Sequence, residues 1–293
     1  MSRSLESFEE HRPLLFTVAY EILGSVADAE DVLQESWLRW DGADRSDVRD
    51  PRAYLVRVVT RQALNRLRTV KRQRETYVGP WLPEPLATTH DVAEDAELAD
   101  SVSLAMLVVL ETLGPLERAV FVLREVFGFE YDEIAEATGR SSDAVRQTAS
   151  RARRHVEARR PRVPEPPDAR LVAERFLSAA ATGDVRALLE VMSPEVVLVS
   201  DGGGVMKAAL RPITGADKVG RFLAAVVPKG AEVDMRWTVA NGQPSVLLYV
   251  DGELDSWGSL TVADGRVREI YLVRNPEKLR HLGEPVRLSR GRP

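Results

Sequence analysis

A basic helix in the middle of the chain carries the side chains best suited to binding nucleic acid. Residues 142–156 read Ser-Asp-Ala-Val-Arg-Gln-Thr-Ala-Ser-Arg-Ala-Arg-Arg-His-Val, and their apolar positions recur at helical spacing. The polar side of this helix carries Ser142, Arg146, Gln147, Ser150, Arg151 and Arg154. Because arginine and glutamine can pair bidentately with guanine and adenine in a major groove, the pattern predicts sequence-specific DNA binding. A solvated basic surface is the alternative interpretation.

The elements before this helix complete a helix-turn-helix pattern. Pro115 suits the first position of a long apolar helix, and Gly128 suits the residue just past its end. A short helix follows, Gly139 supplies the turn, and Ser141 or Ser142 can cap the basic helix. We therefore predict a helix-turn-helix whose last helix is the basic one.

A second basic segment lies between residues 51 and 74, where eight arginines and lysines occur without an acid. Asp50 can cap this helix before Pro51. Its polar face carries Arg52, Arg57, Arg61, Asn65, Arg68 and Arg72. Positive charge can follow a phosphate backbone while planar groups contact bases, so the face predicts binding to single-stranded DNA. A solvated charged face is again the alternative.

An acidic helix precedes the second basic segment. Four acids and no base occur between residues 28 and 35, and apolar side chains recur beside them at helical spacing. One side of this helix is therefore apolar and the other negative, which indicates a protein partner. The candidate contact residues are Asp28, Asp31, Gln34, Glu35 and Trp37.

Composition narrows the class of protein. The 293 residues carry a formal net charge of -5, with no cysteine and four histidines. The absence of cysteine excludes disulfides, thiolate zinc sites and thiol catalysis, and we expect no metal and no cofactor. No apolar run approaches the length of a membrane span, and the N-terminus lacks a signal-peptide core. The sequence therefore predicts a cytoplasmic protein with no membrane partner.

Two proline-rich segments divide the chain. Residues 77–86, Tyr-Val-Gly-Pro-Trp-Leu-Pro-Glu-Pro-Leu, have too many prolines for a helix and too many large apolar groups for a flexible spacer. We predict that they are extended and docked. Residues 160–167, Arg-Pro-Arg-Val-Pro-Glu-Pro-Pro, predict a tether of polyproline character. The predicted boundaries are 1–76 and 99–160 for two all-α modules, 77–98 for the linker, 161–167 for the tether and 168–293 for a C-terminal domain.

The C-terminal domain has a different pattern. Helices are predicted over 168–182, 185–192 and around 217–226. Strands are predicted at 196–200, 232–240, 245–250, 257–262 and 267–273. Helices followed by a long antiparallel meander indicate an α+β fold.

Acid–base catalysis in this domain has little support. It needs a titratable group in a pocket with partners that tune it. Asp201, Asp251 and Asp255 each precede glycine or serine at a predicted turn, where aspartate is a routine choice. No histidine lies between residues 168 and 280. We therefore predict no catalytic residue and no enzymatic activity.

The two helical modules resemble extracytoplasmic-function (ECF) sigma factors. Residues 27–40, Ala-Asp-Ala-Glu-Asp-Val-Leu-Gln-Glu-Ser-Trp-Leu-Arg-Trp, resemble the region-2 helix of that family, and residues 113–156 resemble its region 4. The resemblance implies that the acidic helix binds the β-prime clamp of core RNA polymerase. It also implies that the helix from Pro51 reads and melts the -10 promoter element, and that the helix from Ser142 reads the -35 element.

The C-terminal domain resembles the SnoaL-like branch of the NTF2 fold, a cone with a pocket. One subgroup of ECF sigma factors carries such a domain, with Trp-Leu-Pro-Glu-Pro, Asp-Gly-Gly-Gly-Lys and Asn-Pro-Asp-Lys-Leu signatures. This chain has the first signature at 81–85, the second at 201–204 with its lysine delayed to 207, and the third at 275–279 with glutamate for aspartate. The resemblance implies that the domain regulates the sigma modules in cis. The implied regulatory residues are Trp81, Leu82, Pro83, Asp201, Gly202, Gly203, Gly204, Lys207, Asn275, Pro276, Glu277 and Lys278.

Two other functions remain open from the sequence. A one-component regulator, in which a helix-turn-helix is joined to a ligand-binding cone, explains residues 100–282 but leaves the acidic helix without a role. A fused SnoaL-like cyclase or isomerase explains only the last domain, and fold alone does not decide function. An unknown small molecule bound in the cone is compatible with each of these interpretations.

Overall fold

The chain folds as two compact units in the computed structural model, which describes residues 3–44, 48–89, 95–159, 169–226, 230–283 and 285–291. Unit 1 combines Met1–Glu75, Thr88–Arg160 and Pro285–Pro293, and unit 2 combines Thr76–Ala87 with Pro161–Glu284. The tether predicted at 161–167 lies outside the described residues. Among the described helices, none combines the length and apolar character that a bilayer crossing needs.

Unit 1 begins with three long helices that pack on one another, α1 (Arg3–Leu23), α2 (Val26–Asp41) and α3 (Pro51–Arg74). Side-chain oxygens cap the N-termini of two of these helices: Ser25 accepts from the amide of Asp28 in α2, and Asp50 accepts from the amide of Ala53 in α3. The prediction that Asp50 caps the basic helix is confirmed. The apolar face of each helix is buried, which leaves the acidic side of α2 and the basic side of α3 on the surface.

The second half of unit 1 contains α4 (Ala96–Val102), α5 (Leu104–Glu111), α6 (Pro115–Phe121), α7 (Tyr131–Thr138) and α8 (Ser142–Glu157). Gly139 has φ 67° and ends α7, and Ser141 accepts from the amide of Ala144 to cap α8. The predicted helix-turn-helix is therefore present. One detail was wrong: the long apolar helix changes to a π-helical turn at Val122–Val126, which apolar periodicity alone does not distinguish from α-helix.

Unit 2 is an α+β domain, as predicted. Its elements are α9 (Ala169–Thr182), α10 (Val185–Val191), β1 (Met192–Asp201), β2 (Ile213–Thr214), α11 (Ala216–Val226), β3 (Val233–Ala240), β4 (Gln243–Val250), β5 (Glu253–Ala263), β6 (Arg266–Val273) and α12 (Pro276–Leu279). The strand order is β2-β1-β6-β5-β4-β3. Side chains of α9, α10 and α11 form the core with one face of the sheet.

The meander from β3 to β6 is antiparallel, because two-residue turns join its strands. Asn241, Asp251 and Asp264 each have positive φ and each precede glycine, which is the sequence preferred in tight hairpins. The strand β1 instead pairs parallel with β6, and the short β2 was not predicted. This parallel pairing places Asp201, the last residue of β1, opposite Val273 at the end of β6.

Candidate functional site

Helix α8 exposes the polar face that was predicted to bind DNA. Its apolar positions are buried, whereas the polar residues from 146 to 154 that were predicted to read DNA are exposed. Arg146 lies 5.4 Å from the ring centroid of Tyr131 and 3.8 Å from Asp143, which directs its guanidinium toward the N-terminal end of the helix. Ser142 donates to Asp132 and so joins α8 to α7. The exposed side chains on this face are Arg146, Gln147, Ser150, Arg151 and Arg154.

The basic face of α3 is partly covered in this structure. Arg57 forms an ion pair of 3.0 Å with Glu136, and Arg61 donates to the carbonyl oxygens of Glu136 and Ala137 at 2.7 and 3.3 Å. Arg52 lies 5.1 Å from the ring centroid of Phe129. Arg57 and Arg61 therefore contact α7, and Arg52 contacts the segment just before it. The remaining residues of the predicted face, Asn65, Arg68 and Arg72, are exposed.

This contact between α3 and α7 includes exposed polar groups and borders a cleft. Its hydrogen bonds come from partly exposed guanidinium groups, and a cleft of about 480 Å³ lies beside it. The cleft is lined from both sides, by Tyr54 and Arg57 of α3 and by Glu133 and Glu136 of α7. A polar contact of this kind is separable, because water can replace its hydrogen bonds when the helices part.

A buried network holds the two helical modules together on another side. The side chain of Arg118 in α6, 1% exposed, pairs with Glu111 and donates to the carbonyl oxygen of Glu21 in α1 at 2.8 Å. Arg74 pairs with Glu111 at 2.6 Å and donates to the carbonyl oxygen of Leu23 at 2.8 Å. Burial would raise the pKa of Glu111, but the two arginines hold it below its ordinary value. Glu111 is therefore ionised and paired where α1, α3, α5 and α6 meet.

Glu21 belongs to the same network, but its pKa is shifted in the opposite direction to that of Glu111. Burial of its carboxyl group raises its pKa to about 8, although the hydroxyl of Ser101 and the nearby arginines oppose the shift. The Ser101 hydroxyl donates to Oε1 at 3.0 Å, and Oε2 has no hydrogen-bond partner among the described residues. Glu21 is therefore protonated at neutral pH within a contact between α1 and α4.

The predicted polymerase-binding residues of α2 divide into two groups. Asp31, Gln34 and Glu35 are exposed, although Asp31 lies 3.5 Å from Arg66 and Glu35 accepts from Gln62 at 3.0 Å; Leu38 beside them is 65% exposed. Asp28 and Trp37 are partly buried: Asp28 pairs with Arg66 at 2.6 Å, and Trp37 packs edge to face on Phe8. An acidic surface with one exposed leucine thus remains available on α2.

Asp201 is the centre of the cluster in unit 2. Its side chain is fully buried and accepts four hydrogen bonds. Two donors come from the linker, the hydroxyl of Tyr77 at 2.6 Å and the amide of Leu82 at 2.9 Å. The others are the amide of Gly203 at 3.0 Å and the ammonium of Lys278 at 2.7 Å. A single carboxylate therefore joins the linker, the glycine loop and α12.

Lys278 and Asn275 complete the cluster from the α12 side. The ammonium of Lys278 also donates to the carbonyl oxygen of Leu82 and lies 4.0 Å from the ring centroid of Trp81. Asn275 caps α12 and donates to the hydroxyl of Tyr77 at 2.9 Å. Burial and the Asp201 carboxylate raise the pKa of Tyr77. The phenol is thus kept neutral as a donor to Asp201.

A second contact extends the linker along the sheet. The amide of Leu86 donates to the side chain of Asn241 at 3.0 Å, and the amide of Asn241 donates back to the carbonyl oxygen of Leu86 at 2.8 Å. Ala87 forms a β-bridge with Ala240. Residues 77–87 therefore run as an extended segment on unit 2, as the sequence predicted.

The glycine loop has a steric reason for its composition. At Gly203, φ is 62°, and a Cβ there would lie 2.6 Å from Cγ of Asn275. The carbonyl oxygen of Lys207 accepts a hydrogen bond from Arg274 at 2.5 Å, and the Lys207 side chain is exposed. Arg274 pairs in turn with Asp255 at 2.6 Å. Asp255 was predicted to lie at a turn, which is wrong: it lies within β5, which starts at Glu253, and its carboxylate is 13% exposed and pairs with Arg274.

Sequence reasoning brought together most of this cluster but missed several members. The cluster contains residues from all three signatures: Trp81, Leu82, Asp201, Gly203, Asn275 and Lys278. Tyr77, Asn241 and the pair Asp255–Arg274 were not predicted as site residues. Their partners lie 124, 155 and 19 positions away along the chain, so no local pattern marked them.

The comparisons with known proteins agree with this architecture. Residues 7–73 match the model of Sigma-70 region 2, and residues 103–156 match that of Sigma-70 region 4. ECF RNA polymerase sigma factor SigJ of Mycobacterium tuberculosis is 36% identical, covering 99% of this chain and 96% of that protein. Probable ECF RNA polymerase sigma factor SigI of the same organism is 33% identical, covering 97% and 96%. The crystal structure of SigJ superposes with a TM-score of 0.75, covering 96% of this chain and 99% of that one.

These matches define the protein as a sigma factor, a subunit that directs RNA polymerase to promoters and starts transcription. The chain belongs to the extracytoplasmic-function family of RNA polymerase sigma factors. Its partners are thus RNA polymerase and promoter DNA. The interpretations as a one-component regulator or a fused cyclase are not favoured, because the similarity spans both sigma modules and the α+β domain together.

Proposed function

We propose that this ECF sigma factor is regulated in cis, and that its α+β domain controls transcription by holding the linker between the two DNA-binding modules. The observation that carries this proposal is the buried Asp201, which binds Tyr77 and Leu82 of the linker. The test is run-off transcription with core polymerase by the full chain and by its Asp201→Ala variant. Equal transcript yields at equal sigma concentrations contradict the proposal.

The length of the linker supports this mechanism. The -10 and -35 elements are separate sites along the DNA, so the two modules must lie apart to bind both. The 21 residues from 75 to 95, between Arg74 and Ala96, span at most about 75 Å when fully extended. This length limits how far the two modules can separate. A linker with residues 77–87 held on a domain surface is not free to extend fully.

The contact between α3 and α7 gives the inactive state a structural basis. In our proposal Arg57 and Arg61 bind the -10 element. In this structure Arg57 pairs with Glu136, and Arg61 donates to backbone carbonyl oxygens of α7. Binding of the -10 element requires these arginines to leave α7. The closed packing of unit 1 is therefore the state that polymerase and promoter must open. A small molecule in the cone would act only through different affinities for the docked and released linker.

We propose that the exposed acidic side of α2 contacts the β-prime clamp of core RNA polymerase. Replacing both Asp31 and Glu35 with lysine should weaken binding to core polymerase by at least tenfold, because it reverses two exposed charges in the proposed interface. Glu10→Lys, an exposed change on α1, is the matched control. Affinity is measured by titration of labelled sigma factor with core polymerase. An unchanged affinity with an unchanged melting temperature would remove α2 from the interface.

Promoter reading is assigned to α8 for the -35 element. Alanine at Arg146 or Gln147 should reduce discrimination at one position of that element by about 1–3 kcal/mol for each lost bidentate pair. Arg153→Ala is the matched control, because Arg153 pairs with Glu125 inside unit 1. The measurement is holoenzyme binding to a set of promoters with single -35 changes. If Arg146→Ala lowered affinity equally for every sequence, Arg146 would contact phosphate rather than bases.

A further inference from the structure

The last described residues of the chain, 285–291, lie on the helical modules of unit 1. Val286 forms a parallel β-bridge with Thr88, and Leu288 is buried. The amide of Ser289 donates to the hydroxyl of Thr17 in α1 at 3.0 Å. This tail follows α12 in sequence and lies beyond residues 103–156, where the region-4 match ends. It is therefore an addition to the sigma modules that nonetheless packs on them.

Arg290 gives the tail a specific attachment to α4. Its guanidinium binds both oxygens of Asp95, at 2.8 and 2.9 Å, and also pairs with Glu97. Asp95 is the residue that caps α4, through the amide of Leu98. The Arg290 side chain is 13% exposed. Burial alone would lower the pKa of its guanidinium, but the two carboxylates raise it. One guanidinium therefore bridges two carboxylates, with Nη2 on Asp95 and Nη1 on Glu97, and charge-assisted hydrogen bonds of this kind are stronger than neutral ones.

The tail therefore contacts both helical modules at once. Thr17 and Leu14 belong to α1 in the first half of unit 1, whereas Asp95 and Glu97 lie at the start of α4, the first helix of its second half. Gly291 lies so close to α1 that a Cβ on it would be 2.8 Å from Cδ2 of Leu14, and its φ is 63°. Glycine is thus the residue that this approach requires.

We propose that residues 285–291 form a strap that holds the two DNA-binding modules in the closed packing of unit 1, and that the strap must detach before they separate. The inference rests on the proposed function in one respect, namely that the packing in which α3 contacts α7 is the inactive state. The reason is geometric: a segment bonded to α1 at one point and to α4 at the next cannot keep both contacts when α1 and α4 move apart. Loss of either contact therefore favours opening.

The experiment uses the full chain with Arg290→Ala and, as a matched control, Arg280→Ala, an exposed arginine shortly before the tail. Hydrogen exchange at the Ser289 amide reports whether the tail is bound. Run-off transcription with core polymerase at limiting sigma concentration reports opening. We expect Arg290→Ala to lose protection at Ser289 and to raise transcription about tenfold, a shift of about 1.4 kcal/mol in the opening equilibrium. Arg280→Ala should change neither.

A chain that ends at Glu284 provides a second variant, because it cannot hold the strap at all. It should match Arg290→Ala in transcription. Transcription equal to or below that of the full chain, in either variant, overturns the strap. The Asp201→Ala variant separates the two proposals. If Asp201→Ala raises transcription while the tail variants do not, regulation through the linker stands and the strap fails; if the reverse holds, the linker mechanism fails and the strap stands.

Discussion

Replacing Asp201 with alanine is expected to release the linker from the α+β domain and to raise transcription by the reconstituted holoenzyme. The variant removes the acceptor for the Tyr77 hydroxyl, the Leu82 amide and the Lys278 ammonium together. Removing one partner of a buried ion pair generally costs about 3–5 kcal/mol, because the other charge stays desolvated. Lys278 regains water only if the linker leaves, so the docked state loses most of this free energy.

Hydrogen exchange at the Leu82 amide measures this release directly. A shift of about 3 kcal/mol in docking corresponds to more than a hundredfold faster exchange at that amide. Asp217→Ala is the matched control, because Asp217 forms an exposed ion pair with Arg221 in the same domain, and such pairs contribute little. Asp201→Asn is the milder variant, which keeps an acceptor but removes the charge. Unchanged exchange at Leu82 in Asp201→Ala, with the domain still folded, would show that Asp201 does not hold the linker.

The second large effect is a dependence of stability on pH through Glu21. Burial raises the pKa of Glu21 to about 8 in the folded protein, against an ordinary value of 4.5. Between those two pH values the folded state keeps a proton that the unfolded state has lost. The free energy of unfolding therefore falls as pH rises through this range, and the contribution of Glu21 is gone above about pH 8. A shift of this size corresponds to a free energy on the order of 5 kcal/mol.

Glu21→Gln should remove this dependence, because glutamine stays neutral and still accepts from Ser101. We expect the variant to be more stable than the parent chain at pH 8–9, with a difference that shrinks toward pH 5. Thermal unfolding of both chains across this range measures it, with Glu10→Gln, an exposed change on the same helix, as control. Parallel curves of melting temperature against pH for Glu21→Gln and the parent would contradict the assignment. Arg118 and Arg290 also face Glu21, and their charges oppose the rise in its pKa.

The sequence by itself determined the local structure and the family. Helical periodicity located α2, α3 and α8, and their caps at Ser25, Asp50 and Ser141 need only residues within three positions. The polar faces follow from the same periodicity, because the side that packs inward fixes the side that faces out. Asn-Gly and Asp-Gly pairs likewise determine the hairpins of the meander. These features are short-range, so the pattern along the chain is sufficient to predict them.

Only the tertiary structure decided which surfaces are occupied. Arg57 and Arg61 have the same spacing whether they face solvent or bind α7, and their partner Glu136 lies 79 and 75 residues away. Asp201 and Asp255 both precede small residues, yet one holds the linker and the other fixes Arg274. Ser289 of the tail binds Thr17, which lies 272 positions earlier in the sequence. Such contacts depend on how whole elements pack, and the free energy that selects them is shared among many residues that no local motif includes.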